Sequence, residues 1–163
     1  MQVAEAIRSR RSIRKFRSGV EVSQEQVEAL LAAAMSAPSA MNLRPWEFVV
    51  VRDRSLFPAL QDVHPYATML ATASLAIVVC GVETVVEWMP QDCAAATQNL
   101  LLQALELGLG CCWCGVYSNA ERMAGLRRLL GIKSAPFALV AVGVPDEEPA
   151  SRGGFDISKV RYV

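Results

Sequence analysis

Three observations predict a layered α/β or α+β domain. Near-continuous apolar runs recur at 46–51 (WEFVVV), 74–80 (SLAIVVC) and 138–144 (ALVAVGV), the pattern of strands covered on both faces. Stretches of helical spacing alternate with them and end at glycine or before proline. No repeat and no long linker divides the 163 residues, so one domain spanning 1–163 is expected.

Taken in order, Val3, Ala6, Ile7 and Arg10 have helical spacing, and the chain changes character at Ser12. A short helix and then a basic turn are expected. Ser23-Gln24-Glu25-Gln26 is a capping-box signature opening a helix through Val27, Leu30, Leu31, Ala34 and Met35, which stops before Pro38. Trp46 to Val51 follows as a strand. Ser55 to Gln61 holds one or two helical turns interrupted by Pro58, and Ser74 to Cys80 is a second strand closed by Gly81. Asp92 is the expected N-cap of the longest helix, 93–107, ended by Gly108 and Gly110. Trp113 to Tyr117 has no clear period. Ala120–Leu130 reads as a helix stopped by Gly131, and Ala138–Val144 as the last strand before Pro145.

The helix at 93–107 leaves little polar face, with Leu100, Leu101, Leu102 and Leu105 beside three consecutive alanines. A helix apolar nearly all round must be buried nearly all round, which points to a central helix packed on its own sheet and on a second subunit. Gln98, Asn99 and Gln103 are then the polar groups needing partners at that seam. The composition agrees: 53% apolar residues exceeds the roughly 45–50% of ordinary soluble domains.

Charge and composition exclude several classes. Formal net charge is zero with a pI of about 6.6, so no global field recruits nucleic acid or anionic membrane. No apolar run reaches the roughly 18–20 residues that span a bilayer, and a secretory signal is not seen, so a cytoplasmic protein is expected. Five cysteines, at 80, 93, 111, 112 and 114, are an odd count that suits buried small hydrophobes more than a disulfide framework. With His64 as the only histidine, neither a zinc site nor a Cys/His nucleophile is expected. Gly108-x-Gly110 does not continue as GxGxxG, because Trp113 holds the third position, and no GxxxxGK[ST], HExxH or GxSxG occurs. Side-chain acid–base catalysis has few candidates, so a cofactor is expected to carry the hard chemistry.

Two segments concentrate binding groups. Arg10, Arg11 and Arg14 with the Ser12 hydroxyl set forked donors within one turn of chain, which suits a phosphate monoester and its polar tail. A solvated basic face is the alternative reading of the same charges. In Pro38-Ser39-Ala40-Met41-Asn42-Leu43-Arg44-Pro45-Trp46, small residues let backbone approach a planar ligand, Asn42 can donate and accept, and Arg44 adds a cation.

RSRRSIRKF, APSAMNLRPWEFVVV, QDCAAATQNLLLQALELGLGCCWCGVY and LGIKSAPFALVAVGVPDEEP together resemble the FMN-dependent nitroreductase family, in the same order along nearly the whole chain. The resemblance implies an α+β fold with a central mixed β-sheet flanked by helices, in an interlocked homodimer with two FMN sites at the subunit interface. It implies that Arg10, Arg11 and Ser12 bind the FMN phosphate and ribityl chain, and that Arg14 approaches N1/O2 of the ring as a charge stabiliser. Pro38, Ser39, Ala40 and Asn42 would come from the partner subunit, with Arg44 where the family pattern NxQPW has glutamine. Cys114 and Gly115 match the segment whose backbone passes close to the flavin. Arg152 resembles the C-terminal basic residue that closes on the phosphate, with Arg161 a second candidate. The usual Trp near the C-terminus is missing after Arg161-Tyr162-Val163, and so is the insertion that forms a helical flap in longer members, leaving an open substrate pocket. The activity implied is hydride transfer from NADH or NADPH to electron-poor acceptors such as nitroaromatics or quinones, by a ping-pong cycle in which the flavin, and no side chain, is catalytic. Reductive dehalogenation within the same family, and FMN storage or sensing without turnover, are the alternatives.

Overall fold

The apolar runs lie side by side. In the computed structural model, which describes residues 2–82, 87–150 and 153–163, strands β1 (Trp46–Val51), β2 (Leu75–Gly81), β3 (Gly110–Gly115) and β4 (Ala135–Gly143) form one sheet in the order β1-β2-β4-β3. All three pairings are antiparallel, with Val49 opposite Val78, Val78 opposite Leu139 and Trp113 opposite Val140. The expected mixed character is confined to one parallel bridge, between Ser12 of the basic turn and Cys111. β2 and β3 run the same way but never touch, because β4 separates them; antiparallel neighbours then supply every ladder.

The described residues form five α-helices, α1 (Val3–Ser9), α2 (Gln24–Met35), α3 (Phe57–Val63), α4 (Met89–Glu106) and α5 (Ala120–Leu130), of which α1 packs on α4 and the other four cover the sheet. Strand alternation sends Ile77, Val79, Cys111 and Val140 to the face covered by α2 and α4, and Val78, Cys80, Cys112 and Leu139 to the face covered by α3 and α5. Every residue of β2 and β4 is buried, which is why both read as unbroken apolar runs. β3, ambiguous by sequence, borrows its covering from both layers.

The capping box forms as expected: Ser23 Oγ accepts from Gln26 N–H at 3.2 Å and Gln26 Oε1 accepts from Ser23 N–H at 3.0 Å. Pro58 does not interrupt a helix. It stands in the first turn of α3, where its missing N–H costs nothing, after a 3-10 turn at Arg54–Leu56.

The start of α4 corrects the sequence reading. The helix begins at Met89 with Trp88 as N-cap and Pro90 in its first turn, and Asp92 lies inside it. Asp92 is buried, and its Oδ1 accepts the Ala40 N–H at 3.0 Å instead of capping its own helix. Cys93, Ala96, Thr97, Leu100 and Ala104 face the interior, and Asn99 Nδ2 donates to Ala33 O of α2 at 3.1 Å. Ala94, Ala95, Gln98, Leu102 and Leu105 form a stripe only half covered by this chain.

On the opposite face, α3 and α5 approach so closely that a Cβ at Gly125 would lie 2.8 Å from Val63 Cγ1. Gly125→Ala is therefore expected to destabilise the protein by about 1–3 kcal/mol through overpacking. Adding Val63→Ala should recover part of that loss, as read from urea unfolding midpoints; an unchanged midpoint in the single variant would disprove the close contact.

Candidate functional site

The basic turn is built by pairing with the segment after β4. α1 ends with Arg10 N–H donating to Ala6 O at 3.0 Å, and the chain then runs extended. Ile13 N–H reaches Cys111 O, Arg17 N–H reaches Val144 O, and Asp146 N–H reaches Lys15 O, each at 2.9 Å. Glu147 completes the pairing: its Oε1 accepts the Lys15 N–H at 3.0 Å and the Arg14 N–H as well. Sequence reasoning missed Glu147, although an acidic DEE run directly after an apolar strand is the signal that matches a basic turn elsewhere.

Arg10 and Ser12 line two adjoining hollows. One, of about 380 Å³, also touches Arg11, Arg14 and Glu147. The other, of about 460 Å³, adds Gln98 and Leu101 of α4 and Trp113 and Gly115 of β3. Trp113 is braced by Phe137 at 5.7 Å between ring centroids, and Phe137 by Tyr117 at 6.1 Å. Arg11 behaves differently from its neighbours. Its guanidinium donates to Arg8 O at 2.7 Å, Arg10 O at 2.6 Å and Ala150 O at 3.1 Å, so it caps the end of α1 and ties it to the 145–150 segment.

The 38–44 loop lies elsewhere in the chain. Asp92 anchors it at the start of α4, about 14 Å along the helix axis from Leu101. Met41, Asn42 and Arg44 have φ of 51°, 55° and 50°, a left-handed conformation that is costly for residues with side chains and persists only where neighbours enforce it. Ser39 Oγ accepts from Arg44 N–H at 2.9 Å, Arg44 Nη2 donates to Met35 O at 3.0 Å, and the guanidinium lies 5.9 Å over the Trp46 ring. Arg44, expected as a cation for the ligand, is thus engaged in capping α2. The Asn42 N–H donates to Ser39 O at 3.0 Å, and its exposed side-chain amide has no hydrogen bond among the described residues.

At the end of β3, His64 Nε2 donates to Gly115 O at 2.9 Å and Arg122 Nη1 donates to the same oxygen at 3.1 Å. A Cβ at Gly115 would meet nothing within 4 Å, so the space beside it is open.

Residues 7–76 and 57–144 match the nitroreductase family. A protein of Methanothermobacter thermautotrophicus, provisionally named NADH dehydrogenase/NAD(P)H nitroreductase, is 44% identical over 98% of this chain and 86% of its own length. The chain belongs to the nitroreductase family. Among solved structures of the family's fold, an FMN-dependent nitroreductase of Clostridium difficile R20291 superposes with a TM-score of 0.91 at 32% identity, over 98% of each chain. A provisionally named nitroreductase of Desulfovibrio desulfuricans in complex with FMN gives 0.85 at 29% identity, over all of this chain and 97% of that one.

In this nitroreductase-family chain, the structure brings Arg10, Ser12 and Gly115 to one hollow, whereas the loop of Pro38, Ser39, Ala40 and Asn42 is not among its lining and is held by Asp92 at the start of α4. Arg152 lies outside the described residues, and Arg161 is exposed. Cys114 is buried toward α3, its Sγ 3.9 Å from Met69 Sδ, so only its backbone faces the site. Cys111 and Cys114 have CxxC spacing, yet they pack into opposite cores and cannot act as a pair.

All five cysteines are free and buried. Burial pushes the Cys80 thiol up to about 11, Cys93 to about 12, and Cys111 higher still. Between Cys112 and Cys114, a shared hydrogen bond favours the thiolate on Cys112 and holds Cys114 protonated. Above the ordinary thiol value of 9.0 an unfolded chain loses protons that folded Cys80 and Cys93 retain, so the folded state binds more protons and stability falls as pH rises. Each such group contributes about 1.4 kcal/mol per pH unit across that window. The urea midpoint should therefore drop steeply from pH 9 to 11, and Cys80→Ala should flatten the slope; a flat wild-type profile would contradict it.

Proposed function

We propose that the chain is an FMN-dependent oxidoreductase that passes hydride from NADH or NADPH to electron-poor acceptors such as nitroaromatics or quinones, by a ping-pong cycle, as a cytoplasmic homodimer of single-domain subunits. The observation that carries this reading is the hollow where Arg10 and Ser12 meet Trp113, Gln98 and Gly115: hydrogen-bonding groups for an anionic tail beside an aromatic wall and an open, side-chain-free edge. Those residues fit a planar heterocycle with a phosphate tail, and family members with FMN in their names or structures support the choice.

Bound FMN would supply the hydride acceptor and donor. The chain's own residues bind and orient it. Arg10 and Ser12 hold the phosphate and ribityl groups, with Arg11 positioning that turn by its bonds to Arg8 and Ala150. Arg14 is exposed at the adjoining hollow, its backbone fixed by Glu147, and would offer a cation to the bound group from that side. Solvent supplies protons.

Three observations support a dimer. The half-covered stripe of α4 needs an apolar partner, and the strained 38–42 loop is held at the start of α4, about 9 Å along the axis from Gln98 of its own chain's hollow. Phe155, Ile157 and Tyr162 near the C-terminus also lie exposed. A second copy brings that loop, with its open Asn42 amide, over the first copy's Arg10 and Gly115.

Purified protein should carry about one FMN per chain, and Arg10→Ala should weaken binding about ten- to a hundredfold, the loss of a charge-assisted bond worth about 1.5–3 kcal/mol. Colourless protein that refuses added FMN ends the reading. Anaerobic NADH or NADPH should bleach the yellow colour, and steady-state plots with a quinone should be parallel; retained colour would favour FMN storage, and intersecting lines a ternary complex.

Leu105→Lys, on the half-covered stripe, should cost solubility or flavin content. A flavin-loaded monomer of 17.7 kDa in sedimentation would refute the dimer.

A further inference from the structure

His64, the sole histidine, has no part in the function proposed above, yet it is 2% exposed and specifically bonded. It follows α3 as its C-cap and points Nε2 at Gly115 O. A carbonyl only accepts, so Nε2 carries a proton, while Nδ1 is buried with no partner among the described residues. Arg122 donates to the same oxygen from the first turn of α5. Both donors are themselves held. Tyr66 stands edge-on to His64 at 6.2 Å and lies beneath the Arg122 guanidinium at 5.6 Å, and Gly125 lets α5 close on Val63, next to His64.

Gly115 is where β3 stops, and it is the residue least able to hold its own conformation. Beyond it the chain turns through Ser118 at φ 67°. Ile13 N–H meets Cys111 O across the outer edge of β3, so strand alternation turns the N–H and C=O of Cys111, Trp113 and Gly115 away from β4. That outer edge borders the hollow containing Arg10 and Ser12. One donor would satisfy the Gly115 carbonyl; two, from different helices, also fix the tilt of its peptide plane.

We propose that His64 and Arg122 are positioning residues, which together hold the last peptide of β3 so that the outward Gly115 N–H meets the bound heteroaromatic ring at a fixed place. This rests on the flavin reading above. The test uses the full chain with His64→Leu, His64→Gln and Arg122→Met, and reads three things. These are hydrogen exchange of residues 111–117 before FMN is added, the FMN dissociation constant, and the shape of the bound flavin's absorption bands. His64→Leu and Arg122→Met should each speed exchange and weaken FMN binding by about tenfold, the scale of one lost hydrogen bond, and shift the flavin bands. His64→Gln keeps a donor and should restore all three readings toward wild type. Should His64→Leu not fold, Arg122→Met, at the surface, carries the test. Wild-type exchange, affinity and band shape in a folded His64→Leu or Arg122→Met protein would overturn the proposal. A wild-type chain that binds no FMN overturns the flavin reading first, and the positioning role with it, before any substitution is compared.

Discussion

A helix that is apolar around most of its circumference cannot be left facing water, and α4 imposes that constraint on the rest of the molecule. Its inner side, from Cys93 through Leu100 to Ala104, seals one face of the sheet and fixes where α2 lies against it. As the connection between β2 and β3 it also determines that these strands run the same way with β4 between them. Both ends of the helix then become useful. Asp92 near its start holds the 38–44 loop, and Gln98 and Leu101 farther along form one side of the hollow beside β3.

Polar groups in this fold are spent on backbone more than on one another. Glu147 takes two N–H groups of the basic turn, Arg11 takes three carbonyls, Arg44 takes the end of α2, and His64 and Arg122 share the end of β3. The bonds of Glu147, of His64 and of Arg11 to Ala150 cross between elements distant in sequence, the others reach back a few residues, and each fixes an irregular segment that the apolar core does not grip. The pattern suits a ligand site on loops beside a rigid sheet, because loops hold a shape only when something external satisfies their backbone.

Two of the three buried side-chain polar atoms without a partner among the described residues, Ser134 Oγ being the third, mark where that economy stops. Asp92 Oδ2 and His64 Nδ1 both belong to residues whose other polar atom is an anchor, one for the 38–44 loop and one for β3. An acceptor without a donor at the start of a helix is moderated by the positive end of the helix dipole, which applies to Asp92 in the first turn of α4. Left-handed Met41, Asn42 and Arg44 beside that anchor show the same trade of local strain for a fixed loop shape.

Sequence by itself determined three strands, the capping box of α2, the stop signals of α2 and α5, the burial of the cysteines and the two segments rich in binding groups, because each rests on neighbours a few residues apart. Periodicity also marked α4 as central, but not its start: Pro90 outweighs Asp92 as a beginning once Asp92 is drawn to Ala40. Arg10, Ser12 and Gly115, expected together from the family resemblance, line one hollow. Only the tertiary structure decided that Arg11 and Arg44 turn their guanidinium groups to backbone carbonyls, that Glu147 anchors the basic turn and His64 the end of β3, and that the 38–44 loop is held at the start of α4. Those outcomes depend on which carbonyls and amides folding brings within 3 Å of a side chain, and no local pattern of residue types encodes a distance across the fold.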